Sequence, residues 1–152
     1  MNSLSRLNGY IGRAAVEKML PHAGDMCLIE SVTRWEETSI ECLGACDSID
    51  HPLLRNGQLP ATAAIEYAAQ ATAVHGFLLN NGGVVQFGVL AKLTDISLSA
   101  TVIDPVHSPL QICAELIART DAACIYNFEV KGERLSIASG RLMIAFLARA
   151  EA

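Results

Sequence analysis

The chain has 152 residues, 51% of them hydrophobic and 18% charged, with a formal net charge of −5. This length suits a single domain, residues 1–152, with room for a sizeable core. The absence of any basic run argues against nucleic-acid binding. The N-terminal MNSLSRLNGYIGR lacks the charged-then-apolar pattern of a secretion signal. Cys27, Cys42, Cys46, Cys113 and Cys124 show no CxxC spacing. They read as reduced, buried cysteines in a cytoplasmic protein.

In chain order, residues 1–25 form a lead-in with a short helix over Ala14–Met19 that Pro21 ends. Met26–Glu36 is expected as a strand, Glu37-Thr38 as a hairpin turn, and Ser39–Cys46 as a second strand with Ile40, Cys42 and Gly44 on one face. A loop from Asp47 to Leu59 carries His51, Pro52 and Gly57. A long helix is expected from Pro60, which suits a first helical turn, through an alanine-rich run to the stop at Asn80-Asn81-Gly82-Gly83. Beyond it lie strand-like segments: Val85–Thr101 with an interruption near Lys92–Asp95, Leu110–Arg119, Cys124–Val130, and Leu135–Leu147 broken at Ser139-Gly140. Asp104-Pro105 and Ser108-Pro109 bracket a turn, and Lys131-Gly132-Glu133 signals a hairpin.

The helix has no polar face, and in a soluble chain such a helix is buried. A membrane span is rejected, because the segment is mostly alanine and holds Glu66, Gln70 and His75. Glu66 stands out, since a buried glutamate needs a partner or a task. Two strands, one buried helix and three or four further strands imply an α+β chain: one curled antiparallel sheet wrapped around a long central helix, the hotdog fold. Its open sheet edge and partly covered helix call for a homodimer.

Two stretches carry a family resemblance. LPHAGDMCLIESV, from Leu20, resembles the opening of the FabA/FabZ-like 3-hydroxyacyl-acyl-carrier-protein dehydratases. The run from Pro60 through Ile65-Glu66-Tyr67-Ala68-Ala69-Gln70 is similar to that family's Pro-Gly…Glu-x-x-Ala-Gln, with the same proline-to-glutamate spacing. The wording is closer still to an aryl-polyene-type (ApeP-like) branch. The resemblance follows segment order over most of the chain, and its specific part spans residues 51–73. His51 departs from the family in preceding Pro-Leu-Leu and in lying one residue further from the helix proline. Ala61 replaces the family's glycine.

Dehydrating a 3-hydroxyacyl thioester needs a base for the C2 proton, an acid for the C3 hydroxyl and a donor for the thioester oxygen. A neutral histidine suits the first. A carboxyl in apolar surroundings suits the second. A helix N-terminus suits the third. The resemblance implies His51 as base, Glu66 as acid facing His51 of the other subunit, the Ala61 N–H on the carbonyl, and the Gln58 carbonyl orienting the imidazole. Gly57, Pro60 and Arg55 are the expected substrate-binding positions.

Blander readings stand beside these. His51 could be an ordinary loop histidine, and Glu66 a carboxylate paired at a dimer interface. Gln70 reads as a structural residue bonded to backbone inside the wrap, His75 as a satisfied core or interface residue, His22 as part of the LPH turn and His107 as exposed in a turn. No metal or other cofactor is expected. The expected partner is an acyl carrier protein presenting its substrate on a phosphopantetheine arm. Arg55, Lys131 and Arg134 are candidates for steering that encounter. The competing functions are a hotdog thioesterase, with Glu66 activating water, and a non-catalytic subunit in a heterodimer with a related dehydratase.

Overall fold

The computed structural model describes residues 9–20, 24–80, 88–133 and 135–147. Helix α1 (Arg13–Met19) and a 3-10 turn (Gly24–Met26) lead into strands β1 (Ser31–Glu36) and β2 (Ser39–Gly44). Next come the short strand β3 (Leu59–Pro60), the long helix α2 (Ala63–Leu79) and strands β4 (Gly88–Leu98) and β5 (Val102–Ile103). After a 3-10 turn (Pro105–His107), β6 (Leu110–Arg119), β7 (Ala123–Gly132) and β8 (Leu135–Phe146) complete the chain. The main sheet is antiparallel in the order β1-β2-β6-β7-β8-β4, and β3 pairs with β5 apart from it.

The inner face of the sheet follows from period-2 alternation. Ile40 and Cys42 of β2 lie opposite Ala114 and Ile112 of β6, which lie opposite Phe128 and Val130 of β7. All are buried. Against this face α2 lays Ala64, Tyr67, Ala68, Ala71, Val74 and His75, each at most 1% exposed. The small alanines bring the helix close to the sheet, and Gln70 closes the wrap. Its Oε1 accepts from Leu28 N–H at 2.8 Å, and its Nε2 donates to the Met26 carbonyl at 2.7 Å.

Several expectations are corrected. Pro60 does not open the helix: it pairs with Val102, and α2 starts at Ala63 after Thr62. Proline tolerates such a short edge ladder, where its missing N–H costs nothing. Strand β1 begins at Ser31 rather than Met26, because the chain first makes the 3-10 turn. Strand β8 runs unbroken through Ser139-Gly140. A Cβ on Gly140 would fall 2.4 Å from Ile96 Cδ1, so this glycine makes room for the irregular part of β4. There, register shifts flank Leu90/Lys92 and Thr94/Ser97, and Asp95 takes φ +55°.

The helix is also not buried all round. Ile65, Glu66, Ala69, Gly76 and Phe77 are only half-buried, and Ala73 is exposed. At helical spacing these residues form one stripe. Strand β4, at the sheet edge, leaves Val89, Leu90, Leu93 and Leu98 exposed. His22, Gly82-Gly83 and Arg134, each given an expectation above, lie outside the described residues.

Candidate active site

His51 sits at the foot of α2 in the loop that follows β2, and it is buried at 8% exposure. Its Nε2 lies 2.8 Å from the Tyr67 hydroxyl. The Tyr67 hydroxyl donates to the Ala45 carbonyl at 2.5 Å. The Leu53 N–H donates to Nδ1 at 3.1 Å. These contacts fix the proton positions. A backbone N–H can only donate, so Nδ1 carries the lone pair. The neutral ring then bears its proton on Nε2 and donates it to Tyr67, whose own proton goes to Ala45. Burial holds the His51 imidazole below its ordinary range and pushes the Tyr67 phenol up. The pair is therefore uncharged at neutral pH.

Tyr67 reaches this position because Gly44 ends β2. A Cβ at Gly44 would lie 2.8 Å from Tyr67 Cε1 and 2.6 Å from the Leu28 carbonyl oxygen. The glycine is the seat of the phenol ring. The following residues are held from another direction: Cys46 N–H donates to Ser108 Oγ at 3.0 Å, and Ser108 Oγ donates to Asp47 Oδ1 at 3.1 Å.

The loop between His51 and the helix is a tight hairpin. Arg55 N–H donates to the Gln58 carbonyl at 2.8 Å, and Gln58 N–H to the Arg55 carbonyl at 3.0 Å. Asn56 and Gly57 between them take φ +52° and +75°. Positive φ at both central residues is the type I′ pattern, which Asn-Gly favours. This turn accommodates the longer His51-to-proline spacing. Arg55 is exposed on it.

The two backbone groups expected at the site have partners within the chain. The Gln58 carbonyl is engaged by Arg55, and the ring's backbone contact is the Leu53 N–H. The Ala61 N–H donates to the Thr101 carbonyl at 2.9 Å, within the small β3–β5 pairing, and Ala61 is buried.

Glu66 is half-buried on the helix stripe. Successive helical residues turn by about 100°. Tyr67 therefore points inward to His51, while Glu66 points along the uncovered stripe. His75 is a core residue: its Nε2 donates to the Glu36 carbonyl at 2.8 Å, and its Nδ1 accepts from the Tyr126 hydroxyl at 2.7 Å. His107 is half-buried rather than exposed, its side chain set over Gly132. Lys131 is ion-paired with Glu129 at 3.4 Å. Among the described residues no three His, Cys, Asp or Glu side chains converge as a metal site, and no helix is long and apolar enough to cross a membrane.

The sequence reading missed Tyr67 and the Asn56-Gly57 turn. The turn had a signal in its Asn-Gly dipeptide. Tyr67 had none of its own, since an aromatic residue in an apolar helix reads as core.

A curled antiparallel sheet around a long helix, with a buried histidine at the helix foot and a glutamate on the helix, is a hotdog domain of the dehydratase and thioesterase kind. The ApeP dehydratase family model matches residues 14–150, and the chain belongs to the ApeP-like dehydratase family. Among solved structures it is similar to the dehydratase heterocomplex ApeI:P from Xenorhabdus doucetiae, at TM-score 0.80 and 23% identity, over 88% of this chain and 91% of that one. A thioesterase from Haemophilus influenzae follows the same fold at TM-score 0.64 and 15% identity, over 90% and 91% of the two chains. A mutant thioesterase from Pseudomonas aeruginosa does so at 0.65 and 12%, over 90% and 94%. No curated protein matches the sequence significantly.

Proposed function

We propose that the protein acts within a dimer to dehydrate a 3-hydroxyacyl thioester, carried on the phosphopantetheine arm of an acyl carrier protein, to the trans-2-enoyl thioester. His51 takes the C2 proton. Glu66 protonates the C3 hydroxyl, which leaves as water as the C2–C3 double bond forms. The observation that supports this reading is a buried, neutral His51 held by Tyr67 from the inner side of the helix, with Glu66, one residue earlier, on the helix's half-buried stripe. A site using both groups draws them from two subunits. The half-buried stripe around Glu66 and the exposed apolar side chains of β4 offer the surface for that association. Arg55, on the turn beside His51, steers the acidic carrier.

The test is turnover of a 3-hydroxyacyl N-acetylcysteamine thioester. His51→Ala and Glu66→Gln should each lose about 10²- to 10⁴-fold in activity. Mixing the two inactive proteins should restore part of it through hybrid dimers. Full activity in His51→Ala would reject the base assignment, and release of free thiol would favour the thioesterase.

A second reading is favoured by one observation. Both His51 nitrogens and the Ala61 N–H already have partners within the chain. On that reading the protein is a supporting subunit of a related dehydratase, as the ApeI:P heterocomplex suggests by analogy. It would be inactive alone and would raise the activity of its partner on co-expression.

A further inference from the structure

We infer that Tyr67 is the positioning residue for His51: its hydroxyl holds the imidazole with the proton on Nε2, so the lone pair available to a substrate is that of Nδ1.

Three observations carry this. Among the described residues the hydroxyl is the hydrogen-bond partner of Nε2, at 2.8 Å. Its own proton is drawn to the Ala45 carbonyl, so it accepts from Nε2 rather than donating to it. The ring cannot swing away, because Tyr67 is fully buried with its edge against Gly44. Nε2 is thus capped by a fixed acceptor. Among the described residues Nδ1 accepts from the Leu53 N–H, a 3.1 Å contact two residues along a loop. A loop contact of that kind yields more readily than a buried phenol. An approaching C2–H can replace the Leu53 N–H at Nδ1, and the proton then arrives on a ring still anchored through Nε2 to Tyr67. The imidazolium formed keeps that anchor, since Nε2–H remains a donor.

The assignment of Tyr67 to the tautomer holds whether or not His51 is a base. Its consequence for turnover rests on the dehydratase reading above, and the experiment separates the two. Long-range 1H–15N correlation spectra of the wild-type protein at neutral pH report the tautomer directly, with His51 identified by the signal lost in His51→Asn. We expect a pyrrole-like Nε2 and a pyridine-like Nδ1. The opposite pattern would overturn the inference without any variant at Tyr67. In Tyr67→Phe the ring still fills its seat but the acceptor is gone, and the two nitrogen shifts should move toward each other. Unchanged shifts would overturn it. With a 3-hydroxyacyl N-acetylcysteamine thioester, Tyr67→Phe should lower kcat about 2- to 10-fold, the worth of one hydrogen bond, with KM unchanged. A rise in KM alone would likewise count against a positioning role. If the wild-type protein shows no turnover, the dehydratase reading fails while the spectra still decide the tautomer.

Discussion

Gly44→Ala tests the link between the strand end and the candidate site. The added methyl would sit 2.6 Å from the Leu28 carbonyl oxygen and 2.8 Å and 2.9 Å from Tyr67 Cε1 and Cδ1. Comfortable carbon contacts lie near ~3.5–4.0 Å, so the ring or the strand must give by roughly 1 Å. The carbonyl is backbone and cannot turn aside. Tyr67 is fully buried on the same helix that carries the buried Ala64, Ala68 and Ala71. Backbone strain plays no part, because Gly44 does not take a positive φ. Overpacking of this kind costs about 1–3 kcal/mol, or roughly 2–12 °C in Tm for a chain of this size. Urea denaturation measures the loss, and the His51 nitrogen shifts should change with it, since the displaced phenol leaves Nε2. A variant within about 0.5 kcal/mol of wild type, the range of ordinary surface substitutions, would refute the tight seat and with it the reason Tyr67 reaches His51.

Most of the other expectations are checked by the same denaturation assay. Tyr126→Phe leaves the buried Nδ1 of His75 without its donor and should cost about 1–3 kcal/mol; a neutral outcome would mean that the bond contributes nothing. Burial, the larger cause at His75, holds both His51 and His75 below their ordinary value near 6.5. The unfolded chain therefore binds more protons than the folded one as pH falls. Their contribution is complete above about pH 6.5 and is lost as pH drops through the folded values, by at most about 1.4 kcal/mol per pH unit for each group. Equal urea midpoints at pH 7.5 and 5.5 would contradict this. Gly57→Ala forces an alanine into φ +75° and should cost about 1–2 kcal/mol, whereas Asn56→Gly should be tolerated. Arg55→Glu should raise KM for a carrier-bound substrate in a salt-dependent way and barely alter turnover of the N-acetylcysteamine thioester; equal losses on both would assign Arg55 to the turn itself.

What the sequence could reveal depended on how local the cause was. Leu110–Arg119 emerged with its observed bounds, and Ala123–Gly132 nearly so, because alternation and flanking turn residues define such strands without reference to the rest of the chain. The helix end at Asn80 was equally local. Its start was not. Pro60 satisfies the rule for a first helical turn, and only the pairing of Leu59–Pro60 with Val102–Ile103, some forty residues on, shows why it is a strand residue. Beside the same pairing the Ala61 N–H donates to the Thr101 carbonyl, a contact no local pattern announces. Gln70 and His75 were read as satisfied interior polar groups, since a buried amide or imidazole requires partners whatever the fold. Which partners they have, Met26, Leu28, Glu36 and Tyr126, is a matter of topology.

The consecutive pair Glu66-Tyr67 shows how one helix can serve two directions. Tyr67 faces the sheet, where Gly44 admits its ring and Ala45 and His51 share its hydroxyl. Glu66, one position earlier, lies on the stripe that the chain leaves half-covered. A single-residue shift in helix register that brought Glu66 to the place Tyr67 holds would set a carboxylate against the buried imidazole and push the phenol into the place of the buried Ala68. The register is fixed by alanines: Ala64, Ala68 and Ala71 are fully buried against the sheet, and larger side chains there would lift the helix away. The alanine-rich composition of α2 thus has a chemical consequence. It holds Tyr67 at bonding distance from His51 while leaving Glu66 directed at whatever packs on the stripe.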